Sequence, residues 1–155
     1  MKISELFDES LVITEFKGKS KKQVLEEMVV HLALNKKNID TDVLLKVLLE
    51  REKLGSTGIG RGIAIPHGKI NGLENIVLVF GKSNEGIDFD SIDGKPVNLI
   101  FLLVAPSNSA GVHLKALARL TRLLKDNNFR QNLLQASDAE KMYNIIIDKD
   151  ENISP

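Results

Sequence analysis

"VNLIFLLVAP", residues 97–106, carries one polar side chain, Asn98, in ten residues and stops at a proline. A strand with one wet face alternates polar and apolar residues, because successive side chains point to opposite faces. A nearly unbroken apolar run of this length reads instead as a strand covered on both faces. "NIVLVFGKS", residues 75–83, has the same character. Turn signals at Asn71–Gly72 and Asp93–Gly94 precede the two runs, so hairpin contacts are expected and the sheet should be mixed. "LVITEF" (11–16) and "GIAIPH" (62–67) read as further strands.

Helices surround these runs. Ser20 followed by Gln23 resembles a capping box opening a helix with Val24, Leu25, Met28, Val29 and Leu32 on one face, closed by Asn35. A second helix begins near Thr41, places Val43, Leu44, Val47 and Leu48 at helical spacing and ends in "EREK" (50–53), so Arg51 sits near a helix end. Three more are predicted in "GVHLKALARLTRLLKD" (111–126), "NNFRQNLLQA" (127–136) and "SDAEKMYNIII" (137–147), the last with a capping signature at Ser137 and Glu140. The expected class is α/β, helices packed on a mixed sheet. At 155 residues, without internal repeat or linker, one domain over 1–155 is expected, burying about 68–70% of the unfolded surface.

Composition removes several function classes. Lys plus Arg and Asp plus Glu are equal at 21 each, so the basic excess that neutralises nucleic-acid phosphates is missing. The chain has no cysteine, which excludes disulfides, thiolate metal sites and cysteine nucleophiles. The acidic start "MKISELFDES" is unlike a signal peptide, and the run Leu99–Ala105 is far short of a membrane span. A soluble, cytoplasmic protein without membrane insertion is expected.

"GSTGIGRGIAIPHGK", residues 55–69, holds the chemistry. Its first eight residues include four glycines, yet no Gly-Lys-Ser or Gly-Lys-Thr follows, and the glycines lead into a strand, so neither the Walker A nor the dinucleotide fingerprint is met. Two readings remain: exposed amides with the Ser56 and Thr57 hydroxyls facing an anion, or a tight connection that needs positive φ. His67 stands between Pro66 and Gly68, where a strand that stops pairing at the proline would deliver the imidazole to a sheet end beside the loop. His113 stands near a helix start, next to an apolar face through Ala116, Leu117 and Leu120. His31 flanks the apolar face of the first helix and reads as structural. The three histidines are 36 and 46 residues apart with no zinc-binding motif, and G-x-S-x-G is absent, so neither a metal site nor a serine hydrolase is indicated.

"REKLGSTGIGRGIAIPHGK" (51–69) resembles the signature of the enzyme IIA domains of the bacterial phosphotransferase system, of the fructose and mannitol type. Within that family it is most similar to the nitrogen-regulatory branch. The similarity runs from "ISELF" (3–7) to "MYNIII" (142–147) and includes "DFDSIDGKPVNLIFLLVAP" (88–106). The resemblance implies a three-layer domain with a core about residues 4–148, its mixed sheet lying between helices. It implies that His67 accepts a phosphoryl group on Nε2 from an HPr-like phosphocarrier protein, that His113 is the assisting histidine, and that Arg51 lies at the phosphorylation site. It gives no role to Arg61, and the chemistry calls for no cofactor. For His67 to attack through Nε2, Nδ1 must carry the proton, which calls for a fixed acceptor such as a backbone carbonyl. Three functions stay open: a nitrogen-type regulatory phosphocarrier, which the loop and the lack of an attached B domain favour; a sugar-transport enzyme IIA that passes phosphate to a transporter B domain; and a binding module that works without phosphorylation.

Overall fold

A computed structural model describes residues 1–153. In chain order the elements are β1 (Val12–Ile13), α1 (Lys21–Asn35), α2 (Thr41–Lys53), β2 (Gly58–Gly60), β3 (Ile63–Ala64), β4 (His67–Ile70), β5 (Val77–Ile87), β6 (Val97–Pro106), α3 (Ala110–Leu124), α4 (Asn127–Gln135) and α5 (Ala139–Glu151), with 3-10 turns at Ile3–Glu5 and Glu9–Leu11. The sheet order is β1-β5-β6-β3-β2, and β4 also pairs with β6. As the apolar run predicts, β6 is central: antiparallel to β5 on one side, parallel to β3 and β4 on the other, with every residue buried except the half-buried Asn98. Removing a buried leucine side chain there would cost about 2–5 kcal/mol.

Two helical groups cover the sheet. Adjacent residues of a strand face opposite sides, and at β4 a Cβ on Gly68 would meet Val47 of α2 while the His67 ring lies beside His113 of α3. Thus α2 and its partner α1 cover one face, and α3, packed on α4, the other. Asp150 of α5, 1% exposed, accepts the Ile3 amide at 2.8 Å and pairs with Arg119 of α3, tying the start of the chain to that layer. The buried Lys82 of β5 donates to the carbonyls of Leu134 and Ala136, satisfying groups that the end of α4 leaves open.

Four local expectations need correction. "LVITEF" forms only the two-residue β1, because Glu15 turns its carboxylate to the Asn84 amide and Phe16 lays its ring over Gly81, where a Cβ would come within 2.1 Å of Phe16 Cζ. "GIAIPH" is not one strand that ends at His67; β3 stops at Ala64 and β4 begins at His67. The glycine loop is partly strand, with β2 antiparallel to β3 across a turn where Gly60, Arg61 and Gly62 all have positive φ. The tight connection is therefore the conformation these glycines serve. Finally, α5 is capped by Asp138, which accepts from the Lys141 amide, one residue beyond the predicted Ser137. The other capping prediction holds for the Ser20 side chain, which accepts from the Gln23 amide, and Asn35 is the last residue of α1; the Gln23 side chain accepts the Lys19 amide in place of that of Ser20.

Candidate functional site

The site begins at the break between β3 and β4. Ile63 pairs with Leu99 and His67 with Leu103, both offset by 36, so β3 and β4 follow one register along β6 and only Ile65 and Pro66 leave the strand. Proline has no N–H to give a ladder. The Pro66 carbonyl still accepts from the Leu103 amide at 3.0 Å, while the Ile65 carbonyl lies 2.9 Å from His67 Nδ1. A carbonyl can only accept, so that contact requires the proton on Nδ1 and leaves the Nε2 lone pair uncommitted to it.

His113 stands in the first turn of α3, 7% exposed, with its ring centroid 5.2 Å from that of His67 and the planes tilted by 54°. Its buried Nδ1 has no hydrogen-bond partner among the described residues. Burial, then the charges of His67 and Lys69, hold its pKa below the ordinary histidine value. The neutral ring is therefore favoured.

The last turn of α2 carries Arg51 and Glu52, which bond the glycine loop. The contact of Gly68 with Val47 sets α2 close against β4, and Arg51 lies one turn beyond Val47. The Arg51 guanidinium donates to the Gly55 carbonyl at 2.7 Å through Nη1. Ser56 donates its hydroxyl to the Phe89 carbonyl, and Thr57, 4% exposed, donates its hydroxyl to Glu52 and its amide to the same carboxylate at 3.1 Å. Both hydroxyl protons are thus held by acceptors that fix the loop. Asp93 accepts the amides of Arg61 and Lys95, which keeps its carboxyl below the usual range and anchors the glycine turn. His31 is engaged elsewhere: its Nε2 is 2.6 Å from the Ser10 carbonyl, consistent with a structural residue.

The family resemblance implied that His67 and His113 share one site, and the chemistry required a carbonyl for Nδ1 without naming it. Two residues escaped the sequence reading. Lys69 lies two positions after His67 on β4, hence on the same face, a relation that strand alternation could have revealed. Glu52 sits inside the charged "EREK", where nothing in the sequence separates a buried carboxylate from a solvated one. Its side chain is 5% exposed and bonds Lys21 at 3.0 Å.

The sequence model of the family described as "Phosphoenolpyruvate-dependent sugar phosphotransferase system, EIIA 2" matches residues 5–149. The chain is 43% identical over 147 residues to a nitrogen regulatory protein of Bradyrhizobium diazoefficiens, covering 94% of this chain and 95% of that one. It is 38% identical over 146 residues to the fructose-specific EIIABC component of Bacillus subtilis, covering 94% of this chain but 23% of that larger protein. Among solved structures, the nitrogen regulatory protein IIA-Ntr of Neisseria meningitidis superposes with a TM-score of 0.86 at 36% identity, covering 93% of this chain and 98% of that one. The mannitol IIA of Escherichia coli, at 20% identity and a TM-score of 0.76, shares the fold.

Proposed function

The chain belongs to the type 2 enzyme IIA family of the phosphoenolpyruvate-dependent sugar phosphotransferase system, and from that premise we propose that it is a phosphocarrier whose acceptor is His67 Nε2 and whose output is regulatory. One observation carries the reading: the His67 Nδ1 contact with the Ile65 carbonyl, which fixes the proton on the nitrogen that does not react.

The transfer balances without a cofactor. The Nε2 lone pair of His67 attacks phosphorus on the donor's phosphohistidine, the donor's N–P bond breaks, and that electron pair returns to the donor imidazole as the new N–P bond forms. Nδ1 keeps its proton throughout, and the Ile65 carbonyl stabilises the positive charge that develops on the ring. Such a transfer asks chiefly for alignment and for donors to the three equatorial oxygens. His113, neutral and with its proton on Nε2, supplies one donor; Arg51 supplies a second by turning its fork from Gly55 to the phosphoryl group. Ser56 and Thr57 contribute by holding the loop, in place of direct phosphate contacts.

The phosphate donor is an HPr-like carrier and the setting is cytoplasmic. The exposed apolar side chain of Leu114, next to His113 on α3, gives a docking protein apolar surface at the site. Regulation is favoured over transport because the nitrogen regulatory relative and this chain match over nearly their full lengths. The transport reading rests on the match to the fructose-specific component. Incubation with phosphoenolpyruvate and the general phosphotransferase proteins, followed by mass measurement of the intact chain, tests the proposal. One acid-labile phosphoryl group per chain is expected, and an unchanged mass sinks it.

A further inference from the structure

A line of hydrogen bonds joins an ion pair between the start of α1 and the last turn of α2 to the imidazole of His67. Lys21, the first residue of α1, places Nζ 3.0 Å from Glu52 Oε1 and 5.0 Å from the centre of the Phe89 ring. The Glu52 carboxylate accepts both the amide and the hydroxyl of Thr57. The Thr57 carbonyl accepts the Ile65 amide at 3.0 Å, and the Ile65 carbonyl accepts from His67 Nδ1 at 2.9 Å.

We propose that Glu52 is a positioning residue of the phosphoryl site, acting through Thr57 and Ile65 to fix which nitrogen of His67 carries the proton. This rests on the reading of His67 as the acceptor. Ile65 lies in the two-residue gap between β3 and β4, so no strand ladder orients its carbonyl. It is held on its amide side by Thr57 and, one peptide further on, by the Leu103 bond to Pro66. Thr57 is buried, and Glu52 is the acceptor for both of its protons. A carboxylate can accept several donors at once, and Lys21 balances its charge where water is scarce. Asp90, 3.8 Å from Lys21 and exposed, adds a weaker second partner to that lysine. Without the carboxylate, Thr57 has two buried donors and no acceptor for either, and the loop must move to find water. The Ile65 amide then loses its partner, the carbonyl loses its fixed aim, and the His67 ring relaxes toward the Nε2–H tautomer that free histidine prefers. That tautomer has no lone pair on the attacking nitrogen.

The test is the His67 tautomer itself, read from long-range proton–nitrogen correlation spectra of ring-labelled protein at a pH where the imidazole is neutral. In wild type the Nδ1–H form is expected. In Glu52→Ala the Nε2–H form should become populated, and acceptance of phosphate from the carrier should slow about tenfold or more, as is typical when a group orienting a reactive residue is lost. In Glu52→Gln, which keeps one oxygen for Thr57 but loses the pairing with Lys21, the tautomer should be intermediate and the rate partly recovered. If Glu52→Ala fails to fold, the Glu52→Gln spectrum decides. A wild-type tautomer in the folded variants overturns the proposal, whatever their stability. Failure of the wild-type protein to accept phosphate would instead sink the phosphocarrier reading and leave the tautomer result intact.

Discussion

His67 and His113 stand 5.2 Å apart between ring centroids, but they meet opposite conditions: the first has its Nδ1 on the Ile65 carbonyl, and the second has a buried Nδ1 with no partner among the described residues. A proton on that Nδ1 would be a buried donor without an acceptor, which costs more than a bare lone pair. In their neutral forms the two rings therefore carry their protons on different nitrogens, one presenting a lone pair and the other a donor. A nucleophile and an oxygen-binding group need that division.

His67→Ala should abolish phosphoryl labelling and leave the thermal midpoint within a few degrees of wild type. The ring is only half-buried and starts a strand whose pairing to β6 runs through the backbone. Labelling that persisted in the variant would place the acceptor on another residue.

The pH dependence of stability should carry a histidine component. The folded-state pKa of His113 is lowered, by burial first and then by the charges of His67 and Lys69. Between that lowered value and the unfolded value of about 6.5, the unfolded chain binds more protons. The contribution to stability is thus complete above about pH 6.5 and is lost as pH falls toward the folded pKa. The carboxyls of Asp93 and Asp126, also lowered, act only at lower pH. Thermal midpoints taken from pH 7.5 to 5.5 should fall more steeply for wild type than for His113→Gln; parallel curves would contradict this. His113→Ala should also slow onward transfer of the phosphoryl group, by removing a donor to its oxygens.

Arg51→Lys should slow phosphoryl transfer about tenfold or more without loss of fold, because a point charge cannot reproduce the planar fork that turns from the Gly55 carbonyl to two phosphoryl oxygens. Stopped-flow transfer from the phosphorylated carrier would measure it. A wild-type rate in that variant removes Arg51 from the site.

Gly68→Ala should impair both stability and transfer. The added Cβ would lie 2.8 Å from Val47 Cγ1, and valine cannot swing away freely, so α2 must shift from β4 and carry Arg51 with it. Overpacking of this kind costs about 1–3 kcal/mol. The double variant Gly68→Ala, Val47→Ala makes room for the methyl and should recover the transfer rate. If it does not, the distance between α2 and β4 is not what sets the geometry.

The layers were readable in the sequence because burial on both faces leaves an unmistakable apolar run at 97–106, and because side-chain caps such as Ser20 announce helix starts locally. The site was readable in part for a different reason: Pro66 before His67 signals a break in pairing, although the break proved to be a gap within one register and His67 opens β4. What escaped depends on contacts distant along the chain. Glu52 looks like any acid at a helix end until Lys21 and Thr57 close on it. Asp138 and Ser137 are both good caps by residue type, and it is Asp138 that accepts from the Lys141 amide. β1 is short because Phe16 is drawn onto a glycine 65 positions later, which no local pattern records.

Phosphorylation of His67 should change which proteins bind. By analogy with other phosphorylated residues it adds about 1.5 to 2 negative charges to a chain of formal net charge zero, at a surface that carries Lys69 and the exposed Leu114. The unmodified surface is apolar with a nearby cation, and it suits a partner that packs apolar or acidic groups over the imidazoles. After modification, the same partner must desolvate the phosphoryl group and meet its charge, while one that presents arginines gains charge-assisted hydrogen bonds. The new charge should also act on the pKa of His113 in the upward sense, against the burial and the neighbouring charges that lower it in the unmodified protein. Pull-downs from cell extract with the phosphorylated and unphosphorylated protein should therefore recover different partners, with His67→Ala matching the unphosphorylated set under both conditions. Identical recoveries, together with efficient transfer to the B domain of a sugar transporter, would replace the regulatory reading with the transport one.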